Sequence, residues 1–412
     1  MDFPIDAVRA RFPALSVSDP GGQRVYFDAP GGTQICQDAI DRMVAHLRGG
    51  TANSGGKFAT SVETDAMSAA AHQAMADLLG AQAGEIAFGP NMTSLTFALS
   101  RALSRDWRAG DEIVLSRLDH DANISPWLMA AQDRDVTVRW IELDLDSGTL
   151  RIDALPDLLG AKTRLVAVGG ASNALGTIND VPAISAMVRA HSPALVFVDA
   201  VQSVPHLPTD VTALGCDFLA CSPYKFFGPH QGVLWGKAEL IAGLTTYKVR
   251  PAASQPPAVR FETGTPSFEG QAAVLGTIEY LEWLGRLVSP GVNDRRSALL
   301  AAMKACLAYE HGLGERLLAG LAVIPGLRLY GPPTMEGRVP TFAFTIEGHL
   351  PRDIAAHLAA RAINAWAGHF YAIEPLGQLG LVDDGLLRVG LCHYNDAGEV
   401  DRLIAALQEL TA

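Results

Sequence analysis

Lys225 stands in Cys221-Ser222-Pro223-Tyr224-Lys225-Phe226-Phe227-Gly228-Pro229, directly after an apolar run and among aromatic side chains. Burial in such a setting disfavours the ammonium, lowers the pKa and makes a neutral amine accessible. A neutral amine can form a Schiff base with an aldehyde, and pyridoxal 5'-phosphate is the commonest biological aldehyde held that way. Alone, the segment reads more readily as a surface lysine at a strand–loop junction, so the neighbouring segments must decide.

Asp199 ends the apolar run Val196-Phe197-Val198, 26 residues before Lys225. A pyridine ring that serves as an electron sink must stay protonated on nitrogen, and a buried carboxylate beside it enforces that. A helix N-cap is the plain alternative for the same aspartate. Gln202, or Asn173 in Gly170-Ala171-Ser172-Asn173-Ala174-Leu175-Gly176, can hydrogen-bond the ring's phenolic oxygen. His120 in Leu118-Asp119-His120-Asp121-Ala122-Asn123 can stack on an aromatic cofactor or simply cap a turn. In Phe88-Gly89-Pro90-Asn91-Met92-Thr93-Ser94 a strand gives way to a helix, whose free N–H groups and the hydroxyls of Thr93 and Ser94 suit a phosphate. The segment has no GxGxxG fingerprint, which disfavours a dinucleotide site.

These segments need a common scaffold. Short apolar runs at 85–88, 112–115, 136–140, 164–168, 194–199, 216–220 and 232–236 alternate with helical patterns, such as Leu95/Leu99/Leu103 and Val181 to His191. That order predicts a mostly parallel mixed sheet sandwiched by helices, with the chemistry at the C-terminal strand ends where open α/β sheets bind ligands. After Ser289-Pro290-Gly291 the pattern changes. A long Ala/Leu-rich helix over 295–320, short strands at 327–330, 341–344 and 387–390, and a last helix over 397–410 predict a small α+β domain. The expected division is an N-terminal arm over 1–20 packed on the small domain, a large cofactor-binding domain over 21–290, and a small C-terminal domain over 291–412.

Composition removes other classes. The 412 residues carry 44 acidic and 32 basic side chains, a formal charge of −12 that argues against nucleic acid or an anionic membrane as partner. No apolar run reaches bilayer length, and the acidic start Met-Asp-Phe-Pro-Ile-Asp does not resemble a secretory signal. Five cysteines without a CxxC pair predict neither a disulfide framework nor a metal site. A cytoplasmic enzyme with reduced thiols is expected.

On these residues the chain resembles the class V (fold type I) pyridoxal-phosphate enzymes, and within them the group II cysteine desulfurases. The likeness starts at Tyr26-Phe27-Asp28-Ala29-Pro30-Gly31 and runs through the segments above to Phe261-Glu262-Thr263-Gly264-Thr265-Pro266 and Arg388. It implies that Lys225 holds the cofactor and moves the substrate proton, that Asp199 pairs with the ring nitrogen and that His120 stacks on the ring. Gln202 and Asn173 would lie at the phenolic oxygen, with Asn173 also beside the substrate carboxylate. Thr93, Ser94, Ser222 and Tyr224 would meet the phosphate, with Gly264 and Thr265 reaching it from the second subunit of a homodimer. Arg388 would bind the α-carboxylate of an amino-acid substrate through a bidentate fork.

The departures bear on the reaction. Desulfurases of this group carry a nucleophilic cysteine in a loop that here reads Trp366-Ala367-Gly368-His369-Phe370-Tyr371-Ala372, with Tyr371 at the cysteine position and Trp366 replacing an arginine. A phenol cannot accept sulfur as a persulfide, so Tyr371 is expected to touch the substrate side chain instead. The expected function is a desulfurase-like enzyme acting at the α-carbon of an amino acid, as a carbon–sulfur lyase, epimerase or aminotransferase. The alternatives are a true desulfurase using another thiol, Cys36 or Cys392 being the candidates, and a non-catalytic binding protein of the same fold.

Overall fold

The computed structural model describes residues 3–411. Its centre is a seven-stranded sheet built from β1 (Ile86–Gly89), β2 (Glu112–Ser116), β3 (Thr137–Ile141), β4 (Thr163–Gly169), β5 (Leu195–Asp199), β6 (Phe218–Cys221) and β7 (Gly232–Gly236). In space they run β1-β7-β6-β5-β4-β2-β3. Side chains from Leu165 to Val168 and from Val196 to Val198 are buried on both faces, as an apolar run covered by helices on either side requires. All pairings are parallel except those of β7, which is antiparallel to both β6 and β1. The expected mixed, mostly parallel sheet is therefore the observed one, with its strands in the expected places.

The antiparallel strand matters to the site. Because β7 runs backwards, its first residue lies at the C-terminal ends of both neighbours, with Gly232 paired to Gly89 and Val233 to Cys221. A Cβ on Gly232 would fall 2.3 Å from the Asn91 carbonyl carbon. Glycine thus lets the start of the helix Met92–Leu103 close onto Ser222, whose Oγ accepts from the Met92 N–H at 3.2 Å.

A second sheet is antiparallel throughout, in the order β8 (Leu327–Tyr330), β9 (Thr341–Ile346), β11 (Leu386–Gly390), β10 (Trp366–Gly368). The sequence pattern misses β10. Three half-exposed residues ending in Gly368 at φ +132° carry no alternation to read. Phe342 and Phe344 of this sheet pack against Leu313, Leu317 and Leu321 of the helix Arg295–Leu321 and against Leu403 and Leu407 of the helix Ala397–Thr411. The N-terminal arm contacts more than this side of the molecule. Phe3 stacks on Tyr309 at 4.2 Å and Arg9 pairs with Glu399, but Arg11 pairs with Asp38 and Phe12 meets Phe227 and Tyr280.

One extended segment connects the two sheets. Val25 and Tyr26 pair in parallel with Ile363 and Asn364, and Asp28 bridges to Gly390 at the end of β11. Two residues on, the Pro30 carbonyl accepts a hydrogen bond from Lys225 Nζ.

The helices Phe268–Val288 and Arg295–Leu321 cross with no space for a side chain at Gly285, where a Cβ would stand 1.8 Å from the Ala298 carbonyl oxygen. Gly285→Ala is expected to force these helices apart and cost about 1–3 kcal/mol or more. Denaturant unfolding should show a lower midpoint with an unchanged slope; an unchanged midpoint would contradict this crossing.

Candidate active site

One cavity opens at the C-terminal ends of β1, β2, β4, β5 and β6, and Thr93, His120, Asn173, Asp199, Gln202, Ser222, Tyr224 and Lys225 all line it. Each reaches it by the same local device, a buried strand that ends in a polar loop. Lys225 sits in a single 3-10 turn, Pro223–Lys225, where Pro223 starts the turn and prevents continuation of β6. Asp199 is the last residue of β5, and its Oδ1 accepts from the Val201 N–H at 2.9 Å. His120 is the N-cap of the turn Asp121–Asn123, its Nδ1 accepting from the Ala122 N–H at 3.0 Å.

The electrostatics follow from burial. Desolvation lowers Lys225 to about 7, helped by the Arg388 charge and opposed by Asp199. Desolvation likewise lowers His120 to about 4, with Lys225 and Arg388 adding to the effect, so the ring is neutral at pH 7. Burial raises Asp199 to about 6, its Val201 hydrogen bond and Lys225 pulling the other way. Arg388 falls to about 9 by desolvation. The Arg388 charge thus reaches Lys225 and His120 in the cavity, which fits a site that receives anionic groups.

Buried polar atoms lacking partners mark where those groups can bind. Arg388 donates from Nη1 to the Asn173 carbonyl at 2.8 Å, while its Nε is buried with no acceptor. The ring of Phe370 covers the guanidinium at 4.1 Å. Asn173 donates from Nδ2 to the Phe370 carbonyl at 2.9 Å and leaves Oδ1 unpartnered. Gln202 bonds Thr341 Oγ1 at 3.0 Å through Nε2, leaving Oε1 unpartnered. Since a hydroxyl can donate or accept, turning this amide over keeps the Thr341 bond and frees an NH₂ for an acceptor in the cavity. The loop that carries Asn173 is anchored by Arg338, buried and donating to the Leu175 carbonyl at 2.9 Å and the Thr341 carbonyl at 2.6 Å.

Other expected site residues lie apart from the cavity. Ser94 is exposed on the first helical turn, where the Asn91 side chain takes its N–H as a cap. Gly264 and Thr265 line a separate groove with Pro90 and His230. Tyr371 stands at the mouth, 66% exposed, its ring 5.6 Å from that of His120. Phe370 and Tyr371 both have positive φ, +55° and +57°, a backbone state unfavourable for such side chains. It is held by the Asn173–Phe370 bond and by the Asp121 N–H donating to the Tyr371 carbonyl at 2.7 Å. Sequence reasoning gave no role to the Pro30 carbonyl, to Phe370 over Arg388 or to Asp119, which also lines the cavity. Only Asp119 left a signal, as an acidic residue directly before His120.

The five cysteines are free and buried. Burial pushes Cys36 up to about 12 and raises Cys392 well above an ordinary thiol.

A sequence model of the aminotransferase class-V family matches residues 25–403. The chain belongs to this family. It is 34% identical to an aminotransferase-like protein of Gibberella zeae, over 98% of each chain. It is also 34% identical to a cysteine desulfurase of Yersinia pseudotuberculosis, over 100% of this chain and 99% of that one. Among solved structures, the apo cysteine desulfurase of Thermococcus onnurineus superposes with a TM-score of 0.89 at 25% identity, over 100% and 98% of the two chains. As a class-V aminotransferase family member the chain is a pyridoxal-phosphate enzyme, and the cavity has the matching donors: a low-pKa lysine, a buried carboxylate and a neutral imidazole.

The cofactor-free protein should show one lysine that titrates near 7. Reductive ¹³C-methylation followed by NMR is expected to give one such resonance, absent from Lys225→Arg. A Lys225 signal that titrates near 10 would contradict the burial described here.

Proposed function

We propose that this protein removes the α-proton of a free amino acid and completes its reaction without passing sulfur to a protein thiol. Bound pyridoxal phosphate supplies electron withdrawal from the α-carbon. Lys225 holds the cofactor and then serves as the base at that carbon, a role its lowered pKa suits near neutral pH. Asp199 keeps the ring nitrogen protonated, and His120, neutral, covers the ring face. Thr93, Ser222 and Tyr224 hold the phosphate end, Gln202 and Asn173 the phenolic oxygen, and Arg388 the substrate carboxylate through its unpartnered Nε. Gly264 and Thr265 complete the phosphate site of a second copy in a homodimer. Exposed Phe58, Val62, Tyr247 and Val249 favour such pairing. A division into an arm, a large domain to residue 290 and a small domain goes with this reading, as does the cytoplasm, where free thiols persist.

The observation that carries the reaction class is the pairing of an exposed Tyr371 at the mouth with five buried cysteines. Sulfur transfer requires an accessible thiolate. Without one, the proton can return to the α-carbon from either face, be delivered to the cofactor as in transamination, or leave with a β-substituent.

A panel of amino acids incubated in D₂O, read by NMR for α-proton exchange, inversion, keto acid and pyruvate, tests this directly. At least one amino acid should exchange, and Lys225→Ala should lower that rate on the order of 10³-fold. Absence of exchange across the panel, or an unaffected variant, would overturn the proposal.

With cysteine and a thiol reductant, little alanine and no protein persulfide are expected, and Tyr371→Cys should add little of either. Robust turnover with a persulfide mapped to Cys36 or Cys392 would show that another thiol had taken over the missing role.

A further inference from the structure

Asp119 is a second buried carboxylate in the cavity, and none of the roles above uses it. It lies between β2 and His120 with 4% of its surface exposed. Both of its oxygens are held by neutral N–H donors. Oδ1 accepts from the Gly169 backbone at 2.8 Å, and Oδ2 accepts from Asn123 Nδ2 at 2.8 Å. Asn123 in turn accepts from Trp127 Nε1 at 2.9 Å. Gly169 is the register partner of Asp199 across β4 and β5. Anchoring on Gly169 therefore brings the two carboxylates to the same edge of the sheet. A Cβ on Gly169 would lie 2.7 Å from Asp119 Oδ1, so the close approach requires glycine there.

We propose that Asp119 is a positioning residue acting through its neighbours: it braces the turn that presents His120, and its charge adjusts the proton affinity beside Asp199. This rests on the pyridoxal-phosphate reading above. The charged and titratable groups around it are Asp199, Lys225 and His120 in the cavity, with Arg388 acting on the latter two. Burial, and then the Asp199 charge, push Asp119 up to about 7. The two N–H donors favour its charged form, in which a second negative charge stands beside Asp199. Such a charge favours protons held nearby, on the ring nitrogen and on the lysine nitrogen alike.

The test is a pH titration of the visible absorption of the holoenzyme, in wild type, Asp119→Asn, and the double variant Asp119→Asn/Asn123→Asp. The single variant removes the charge, and its Nδ2 now faces the Asn123 Nδ2. The double variant restores that bond with its direction reversed and moves the charge to residue 123. It should recover the thermal stability lost in the single variant. In both variants the spectral midpoint should lie lower than in wild type, by about half a pH unit or more. Should the single variant fail to fold, the double variant alone carries the comparison. A wild-type midpoint in the variants, or one restored together with stability in the double variant, would overturn the electrostatic role and leave only a brace. A wild-type protein that takes up no cofactor would remove the proposed function, and this role with it.

Discussion

The site depends on lowering the proton affinity of a buried amine that stands within reach of a guanidinium charge. Lys225 is lowered chiefly by desolvation, and the desolvation comes from everything packed around it. The 3-10 turn after β6 and the aromatic side chains on either side contribute, while the Pro30 carbonyl, accepting from Nζ, favours the ammonium. Asp199 works against this shift, so its distance from Lys225 is as consequential as its presence. A looser cavity would admit water, the ammonium would return, and the amine would be lost as a nucleophile and as a base.

The same crowding explains why the site draws on both sheets. Arg388 comes from β11, yet it is fixed by the Asn173 carbonyl from the loop after β4 and by the ring of Phe370. Asn173 in turn holds the Phe370 carbonyl. Arg388, Asn173 and Phe370 thus form a closed ring of contacts, in which moving any one displaces the other two. Arg338 joins the same loop to the carbonyl of Thr341 on β9, so small-sheet geometry reaches the cavity through backbone carbonyls.

Most of the large sheet was legible because its strands are buried on both faces and read as unbroken apolar runs. The residues that line the cavity were legible for a related reason: each lies within a few residues of the end of such a run. What depended on distant backbone was not. Nothing in Tyr26-Phe27-Asp28-Ala29-Pro30 says that a carbonyl will meet a lysine 195 residues away. The strand Trp366–Gly368 is too short to show a period, and the positive φ of Phe370 and Tyr371 is imposed by hydrogen bonds to other loops. Ser94 differs from these. The sequence offers its hydroxyl to a phosphate, while in the structure its N–H meets the Asn91 cap and the residue is exposed.

The segment from Val25 to Pro30 has a consequence for how the protein is made. Its partners are Ile363, Asn364 and Gly390 on one side and Lys225 on the other. At about 5–20 residues per second, a ribosome needs tens of seconds to reach those partners after the segment emerges. During that time the large sheet can form, but the cavity lacks a wall and Lys225 remains open to water. The enzyme therefore gains its reactive amine at the end of synthesis rather than along the way. A nascent chain is spared an exposed nucleophile until it has the complete pocket to put it in.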